Sequence, residues 1–187
     1  MPSLATTASA GVFRRPTVRD AALLLALAWF VPFAVHLAPW SGVRPLGVYL
    51  LPMFWATFVA VYFHGAALGL LTGLFAPAVN LVVTGLPAWK FVGPASLELA
   101  VFALATTWAV RRAPRFWLLA PLGYLVAKAG AALLLAPVNV VGEAGAPGRF
   151  FSHAVVTGAT GLIVLALINA ALVRFFPKTA AGDDAAG

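Results

Sequence analysis

The sequence predicts an all-α integral membrane protein, a bundle of six transmembrane helices with both termini in the cytoplasm. Of the 187 residues, 63% are hydrophobic and only 9% are charged. This is more apolar surface than the interior of a soluble domain of this size can hide. Six apolar stretches follow one another, each close to the length of about 20 residues that a helix needs to cross a bilayer. Basic residues flank these stretches unevenly.

The six apolar stretches are separated by short segments rich in turn-forming residues. These segments are "APWSGVRP", "TGLPAWKFVGP", "RRAPR" and "VNVVGEAGAPG", where glycine, proline and charged residues interrupt the apolar pattern. The second and third stretches meet at His64 and Gly65 with almost no connection between them, so these two stretches are predicted to form an antiparallel hairpin. The predicted crossings are 20–38, 46–63, 65–84, 95–112, 116–137 and 150–175.

The membrane domain is predicted over residues 20–176, between two polar segments. Residues 1–19 are expected to form a cytoplasmic N-terminal segment, and residues 177–187 a disordered C-terminal tail. The first apolar stretch is interpreted as a retained helix rather than a signal peptide, because it is long and no convincing cleavage site of small residues follows it.

The distribution of basic residues predicts the orientation of the bundle. Segments assigned to the cytoplasmic side hold eight lysines and arginines, and the opposite loops hold three. This asymmetry indicates an even number of crossings in the prokaryotic inner or plasma membrane, with cytoplasmic termini. The net charge of +7 is accounted for in the same way, so no binding to nucleic acid is expected.

The third crossing has one face of small residues. At 100° per residue, Gly65, Gly69 and Gly73 fall on one arc, and bulky residues cover the remainder. Small residues let helix backbones approach closely in lipid. The groove serves either packing inside the chain or docking of a partner subunit, and the sequence leaves both open. Ala22 and Ala26 form a smaller version of this pattern in the first crossing, with the same two alternatives.

Polar side chains at membrane depth gather in the outer half of the predicted bundle. Ionisable residues inside a span are costly and indicate function by default, which singles out Glu98 and Lys128. The convergence predicts a ligand pocket that opens outward. As alternatives, Glu98 and Lys128 form a structural ion pair, Trp89 belongs to an interfacial aromatic belt, and His153 is a satisfied interfacial histidine. The candidate ligand-binding residues are Asn80, Trp89, Glu98, Tyr124, Lys128, Asn139 and His153.

The sequence offers no pattern typical of a catalytic or metal centre. It contains no cysteine, which excludes disulfides and thiolate chemistry. The H-E-x-x-H and G-x-S-x-G motifs of metallo- and serine hydrolases are also absent. His64 and His153 are predicted on opposite sides of the membrane. We therefore expect no enzymatic activity, no catalytic residue, no cofactor and no bound metal.

Taken in order, several motifs resemble the substrate-binding S component of energy-coupling factor transporters, the vitamin-uptake class of ABC importers. The resemblance runs from Ala21 to Phe176 and begins with the Ala22-x-x-x-Ala26 pattern. It continues with "LPMFWATFVAVYFHGAALGLLTG", "GLPAW", the acidic residue in "SLELAVFALATTWAVRR", and the ending "GATGLIVLALINAALVRF".

The resemblance implies a binding subunit without an energy source of its own. Such proteins bind a vitamin or related micronutrient with high affinity near the outer surface, in a pocket shaped by helices four to six. A transmembrane coupling subunit and two cytoplasmic ATPases are the implied partners, and they topple the binding subunit to carry the ligand inward. Ala22 and Ala26 would contact the coupling subunit.

Two other functions and three ligand classes remain open at this stage. A six-helix scaffold or sensor would bind no small ligand and would fill its outer cavity with side chains. An oligomeric channel subunit would need polar residues along its whole depth. For a binding subunit, Lys128 suits a carboxylate-bearing vitamin, whereas Glu98 with Trp89 suits a cationic aromatic one. Both charges together suit a zwitterion.

Overall fold

The computed structural model describes residues 13–42, 44–135 and 147–178, and every regular element in these ranges is helical. Most of the helices follow the apolar stretches of the sequence closely. One turn of 3-10 helix, Trp89–Phe91, precedes the fifth helix. The helices are α1 (Val18–Leu37), α2 (Leu46–Leu50), α3 (Pro52–His64), α4 (Ala66–Thr84), α5 (Val92–Arg112), α6 (Leu119–Leu135), α7 (Pro147–Thr157) and α8 (Ala159–Phe175).

Several helices are long and apolar enough to cross a membrane. Four segments of the described chain meet this condition: α1, the α2–α3 segment, α4, and α5 together with its 3-10 turn. The pair α7 and α8, which is bent by 65°, makes a fifth if it is one span. Helix α6 is shorter, with 17 residues. The fold is thus all-helical and compatible with a multi-pass membrane protein, while the count of six crossings stays a prediction.

Two of the predicted crossings are broken helices. The second one breaks at Leu51, whose left-handed backbone (φ 58°, ψ 42°) separates α2 from α3. Pro52 begins the new helix, a position where its missing N–H has no intrahelical acceptor to lose. The last crossing breaks at Gly158, between α7 and α8. Apolar composition continues through both points, which is why the sequence predicts unbroken helices there.

Helix α3 lies at the centre of the bundle. It contacts α1, α4, α5 and α8, and eight of its 13 residues are buried. The ring of Phe54 meets the rings of Phe102 and Tyr124 edge to face, at centroid distances of 5.1 and 5.0 Å. Such pairs contribute packing energy beyond their buried area. They tie α5 and α6 to α3 and so hold these two helices in register.

The glycines of α4 pack inside the chain. Gly65, Gly69 and Gly73 are all buried. A Cβ atom on Gly69 would lie 2.3 Å from Cγ2 of Val61, and one on Gly73 would lie 3.1 Å from the backbone oxygen of Leu99. These contacts bring α4 against α3 and α5. The glycines therefore account for internal packing and offer no surface to a partner subunit, which corrects the docking role suggested for them.

The small residues of α1 are placed differently. Ala22 and Ala26 are exposed on the bundle surface, whereas Leu24 and Ala28 turn inward and are buried. Ala26 also lines a shallow groove formed by neighbouring residues of the same helix. This face of α1 is covered by no other described element and is open to lipid or to another subunit.

Both ends of the described chain meet at one end of the bundle, which we call the basic end and define by Phe13, Arg14, Arg111 and Lys178. The ring of Phe13 lies 5.4 Å from the guanidinium of Arg111 and 4.7 Å from Nζ of Lys178. Arg14 lies over the neighbouring Phe63 ring. The opposite end is formed by the end of α1, by α2, and by the starts of α3 and α5.

The ammonium of Lys178 is expected to lose its proton at unusually low pH. Burial, with a smaller contribution from the charge of Arg14, lowers the pKa of Lys178 to about 8, against about 10.4 for an ordinary lysine. At a pH between these two pKa values, Lys178 is protonated in the unfolded chain and deprotonated in the folded one. The contribution of Lys178 to the free energy of unfolding therefore rises with pH across this range. Acylation of Lys178, followed by peptide mass spectrometry, should reach half its maximal rate near pH 8. A midpoint equal to that of a free peptide of residues 174–182 would contradict this expectation.

A side chain of α8 caps the start of α6. Oδ1 of the buried Asn169 accepts a hydrogen bond of 2.9 Å from the backbone N–H of Ala120, in the first turn of α6. That N–H is one of the donors a helix start leaves without an intrahelical acceptor. Nδ2 of Asn169 donates to the carbonyl of Phe116 at 3.4 Å. The cap thus joins two helices that are distant in sequence.

Asn169→Leu is expected to lower the free energy of unfolding by about 1–3 kcal/mol, because the N–H of Ala120 stays buried without an acceptor. Denaturation of the detergent-purified chain measures this difference. Ser152→Ala, at an exposed position of α7, is the control and should unfold like the wild type. Equal stability of Asn169→Leu and the wild type would show that the cap contributes nothing.

Candidate functional site

The two ionisable residues singled out by the sequence form an ion pair. Nζ of Lys128 donates to Oε2 of Glu98 at 2.5 Å, and the side chains are only 13% and 11% exposed, respectively. Glu98 lies on α5, about 10 Å from the start of that helix at 1.5 Å per residue, and Lys128 lies on α6. The pair thus bridges two neighbouring helices well inside the apolar region.

Aromatic rings surround the ammonium of Lys128. Its Nζ atom lies 5.6 Å from the ring centroid of Tyr124 and 5.7 Å from that of Phe150, within the range of a cation–π interaction. The hydroxyl of the buried Tyr124 donates to the carbonyl of Ala154 at 3.1 Å. This bond ties α7 to α6, so the position of Phe150 beside the ammonium depends on Tyr124.

A cavity of about 240 Å³ opens beside the ion pair, and we call it the polar cavity. Within it, Nδ1 of His153 and the hydroxyl of Thr157 lie 3.5 Å apart. Among the residues that the structure describes, no carboxylate forms an ion pair with Arg44. The cavity therefore combines the ammonium of Lys128, which is bonded to Glu98, with the guanidinium of Arg44 and the polar side chains of His153 and Thr157. It is lined by Arg44, Val48, Leu51, Tyr124, Lys128, His153, Ala154 and Thr157.

A second cavity, of about 380 Å³, lies at the same end of the bundle, and we call it the apolar cavity. His36 is its only lining residue with a polar side chain in the described chain. Nδ1 of His36 lies 2.6 Å from the carbonyl of Pro32, and a proton on Nδ1 satisfies that carbonyl. In the neutral ring this leaves Nε2 as an acceptor. Apolar lining residues include Val48, Leu51, Met53, Phe54, Phe91 and Ala95.

Four of the candidate ligand-binding residues come together. Tyr124, Lys128 and His153 line the polar cavity, and Glu98 is bonded to Lys128. Trp89 is 78% exposed and lines neither cavity. Asn139 lies outside the described residues.

Asn80 has a structural position between α4 and α1. Its side chain is fully buried, and Nδ2 donates to the carbonyls of Ala76 at 2.9 Å and Ala28 at 3.4 Å. Pro32 has no N–H, so it leaves the carbonyl of Ala28, four residues earlier, without an intrahelical donor. Asn80 supplies that donor. The amide nitrogen of Asn80 thus bonds to another helix of the chain, while its Oδ1 atom is buried without a hydrogen-bond partner among the described residues. Its assignment to the ligand pocket stays a prediction.

Two ionisable cavity residues were missed by sequence reasoning. Arg44 belongs to the segment between the first two crossings and served there only as evidence of orientation. Its position beside Lys128 depends on the short helix α2, which the sequence does not distinguish from the crossing that follows. His36 could have been found, because it is an ionisable residue inside a predicted crossing, and such residues indicate function.

Comparison with known protein families, curated proteins and solved structures finds no match for this chain. Within residues 13–42, 44–135 and 147–178, no three histidine or acidic side chains are grouped so that they could hold a metal ion. The interpretation of the site therefore depends on its own geometry: a buried ion pair, two aromatic rings beside it, and two cavities.

Proposed function

We propose that this chain is the membrane-embedded binding subunit for the uptake of a vitamin or a related micronutrient. A single observation carries the proposal: open cavities of about 240 and 380 Å³ lie at one end of an apolar bundle, beside a buried ion pair. Concave sites that are mostly apolar, with a few convergent polar groups, are typical of small-molecule binding. In this proposal the cavities open outward, and the basic end faces the cytoplasm.

In this proposal the chain binds the ligand, and other subunits supply the energy for its transport. The order of the sequence motifs resembles that of S components, which implies a transmembrane coupling subunit and two cytoplasmic ATPases. The exposed face of α1 around Ala22 and Ala26 supports a docking role for that helix, since small residues allow close approach in lipid. Membrane lipid covers the remaining apolar surface.

A non-transporting scaffold or sensor is the second candidate, and one observation favours it. Glu98 and Lys128 satisfy each other at 2.5 Å, so the pair is complete without a ligand. A scaffold, however, is expected to fill its interior with side chains. The polar cavity next to the pair, and the apolar cavity that shares Val48 and Leu51 with it, therefore favour the binding subunit.

Mass spectrometry of small molecules released from the detergent-purified chain tests the proposal. We expect a vitamin-like molecule at near one-to-one stoichiometry, and the same compound should raise the melting temperature when it is added back. Purified Lys90→Gln, altered at an exposed position outside both cavities, should release the same amount. A chain that releases nothing and is stabilised by none of the vitamins would favour the scaffold.

A further inference from the structure

We propose that the ligand is an amphipathic organic anion whose charged group is held by Arg44 and Lys128 and whose apolar body enters the apolar cavity. This inference rests on the proposed function and names the class of ligand. The sequence left anionic, cationic and zwitterionic ligands open. The structure adds three observations that separate them: the charge balance of the polar cavity, the wall that the two cavities share, and the composition of the apolar cavity.

Among the residues that the structure describes, the polar cavity has one cation, Arg44, that no carboxylate balances. Arg44 and Lys128 line it, and Glu98 is the carboxylate bonded to Lys128 among the described residues. A cationic ligand would have to compete with Lys128 for that carboxylate and approach Arg44 at the same time. An anion meets two cations instead, and the planar guanidinium can bind a carboxylate or phosphate through two parallel hydrogen bonds.

Glu98 acts as a positioning residue in this arrangement. It holds Nζ of Lys128 at 2.5 Å, while the rings of Tyr124 and Phe150 flank the same atom. The ammonium is therefore fixed before the ligand arrives, which lowers the entropy lost on binding. His153 and Thr157 offer further hydrogen-bonding groups around the same space.

The two cavities share a wall. Val48 and Leu51 line both of them. Leu51 holds a left-handed backbone conformation (φ 58°), which is uncommon for a residue with a side chain and is found preferentially at functional sites. Val48 and Leu51 thus stand between the two cavities, and in this proposal they move aside for a ligand that occupies both.

The apolar cavity fits the uncharged part of such a ligand. Its lining in the described chain is apolar apart from His36, whose Nδ1 lies beside the carbonyl of Pro32. An aromatic or alkyl group gains the burial of apolar surface there. In this proposal the polar cavity selects the negative charge of the ligand, and the apolar cavity selects its uncharged body.

Melting temperatures of the full-length, detergent-purified chain test the charge. The probes are 3-phenylpropionate and its uncharged analogue 3-phenylpropionamide, at equal ionic strength. We expect the acid to raise the melting temperature and the amide to leave it unchanged. Arg44→Gln should weaken binding of the acid about tenfold, as the loss of one charge-assisted hydrogen bond predicts, and Lys90→Gln should bind like the wild type. Equal shifts by acid and amide, no shift by either, or full affinity of Arg44→Gln would overturn the proposal.

Lys128 needs a variant that folds. The double variant Glu98→Gln/Lys128→Met removes both charges together, so neither is left buried alone. It should lose binding of 3-phenylpropionate by at least about tenfold, and retained affinity would contradict the role of Lys128.

A substitution that fills the apolar cavity tests the second half of the proposal. Ala95 lines that cavity, and Ala95→Leu should weaken binding of 3-phenylpropionate about tenfold. Ala129→Leu, at an exposed position of α6, is the matched control and should bind normally. Unchanged affinity of Ala95→Leu would show that the ligand does not enter the apolar cavity.

The failure of this inference differs from the failure of the proposed function. Recovery of a neutral or cationic vitamin at one-to-one stoichiometry would overturn the anionic ligand and leave the binding subunit intact. A chain that releases no small molecule and responds to no probe would overturn both.

Discussion

Glu98→Gln is expected to lower the free energy of unfolding by about 3–5 kcal/mol, the usual cost of breaking a buried ion pair. The substitution leaves the ammonium of Lys128 among aromatic rings without its carboxylate. Lys128→Met, which leaves the carboxylate alone, should have an effect of similar size. The double variant should recover most of the loss, because it buries no unpaired charge. Denaturation of the purified variants measures all three.

The same three variants separate stability from ligand binding. If the pair is purely structural, the double variant restores stability and binds 3-phenylpropionate as the wild type does. If Lys128 also holds the ligand, stability returns and binding does not. Lys90→Gln controls for the loss of a lysine at an exposed position. Single variants that unfold like the wild type would show that the pair contributes little to stability.

Gly161→Ala is expected to displace α2 and to destabilise the chain by about 1–3 kcal/mol, as overpacking does. A Cβ atom at this position would lie 2.6 Å from Cγ of Leu51 and 2.8 Å from the backbone oxygen of Tyr49. The second contact is with the backbone, so a change of rotamer cannot relieve it. Because Val48 and Leu51 form the shared wall, binding of 3-phenylpropionate should fall as well.

Gly148→Ala, on α7, is the matched control for this substitution. Outside its two neighbours in the chain, a Cβ atom on Gly148 would meet no heavy atom within 4 Å, and alanine is preferred over glycine in a helix by up to about 1 kcal/mol. Gly148→Ala should therefore match the wild type or exceed its stability, and it should bind normally. If the two glycine variants behave alike, the close approach of α8 to α2 is not what holds the wall in place.

The all-helical class was predictable because apolar stretches of about 20 residues are typical of membrane-spanning helices. The first crossing, predicted at 20–38, is α1 at Val18–Leu37. The break at Leu51 was missed although the sequence carries a signal for it: Pro52 follows Leu51, and proline disfavours the helical conformation in the residue before it. Composition reports which segments prefer lipid, but it does not report where a helix bends inside them.

The candidate site was predictable only in part, for similar reasons. Glu98 and Lys128 stand out as ionisable residues in apolar helices, and the structure pairs them. Asn80 stands out equally, but its partner is a carbonyl freed by Pro32 on another helix. Arg44 is inconspicuous in the sequence because its relation to Lys128 arises only from tertiary structure. A polar side chain in an apolar helix identifies a candidate residue, and the packing of the helices determines which candidates are in contact.

The central position of α3 determines when the bundle can close during synthesis. The hydroxyl of Tyr62 on α3 donates to the carbonyl of Phe176, which lies 114 residues later in the chain. At ordinary rates of translation, roughly 6 to 23 s separate the synthesis of the two residues. Throughout that interval the most buried helix of the finished protein lacks the neighbour that completes its enclosure. Arrival of the last helix, rather than insertion of the central one, is therefore the step that completes assembly.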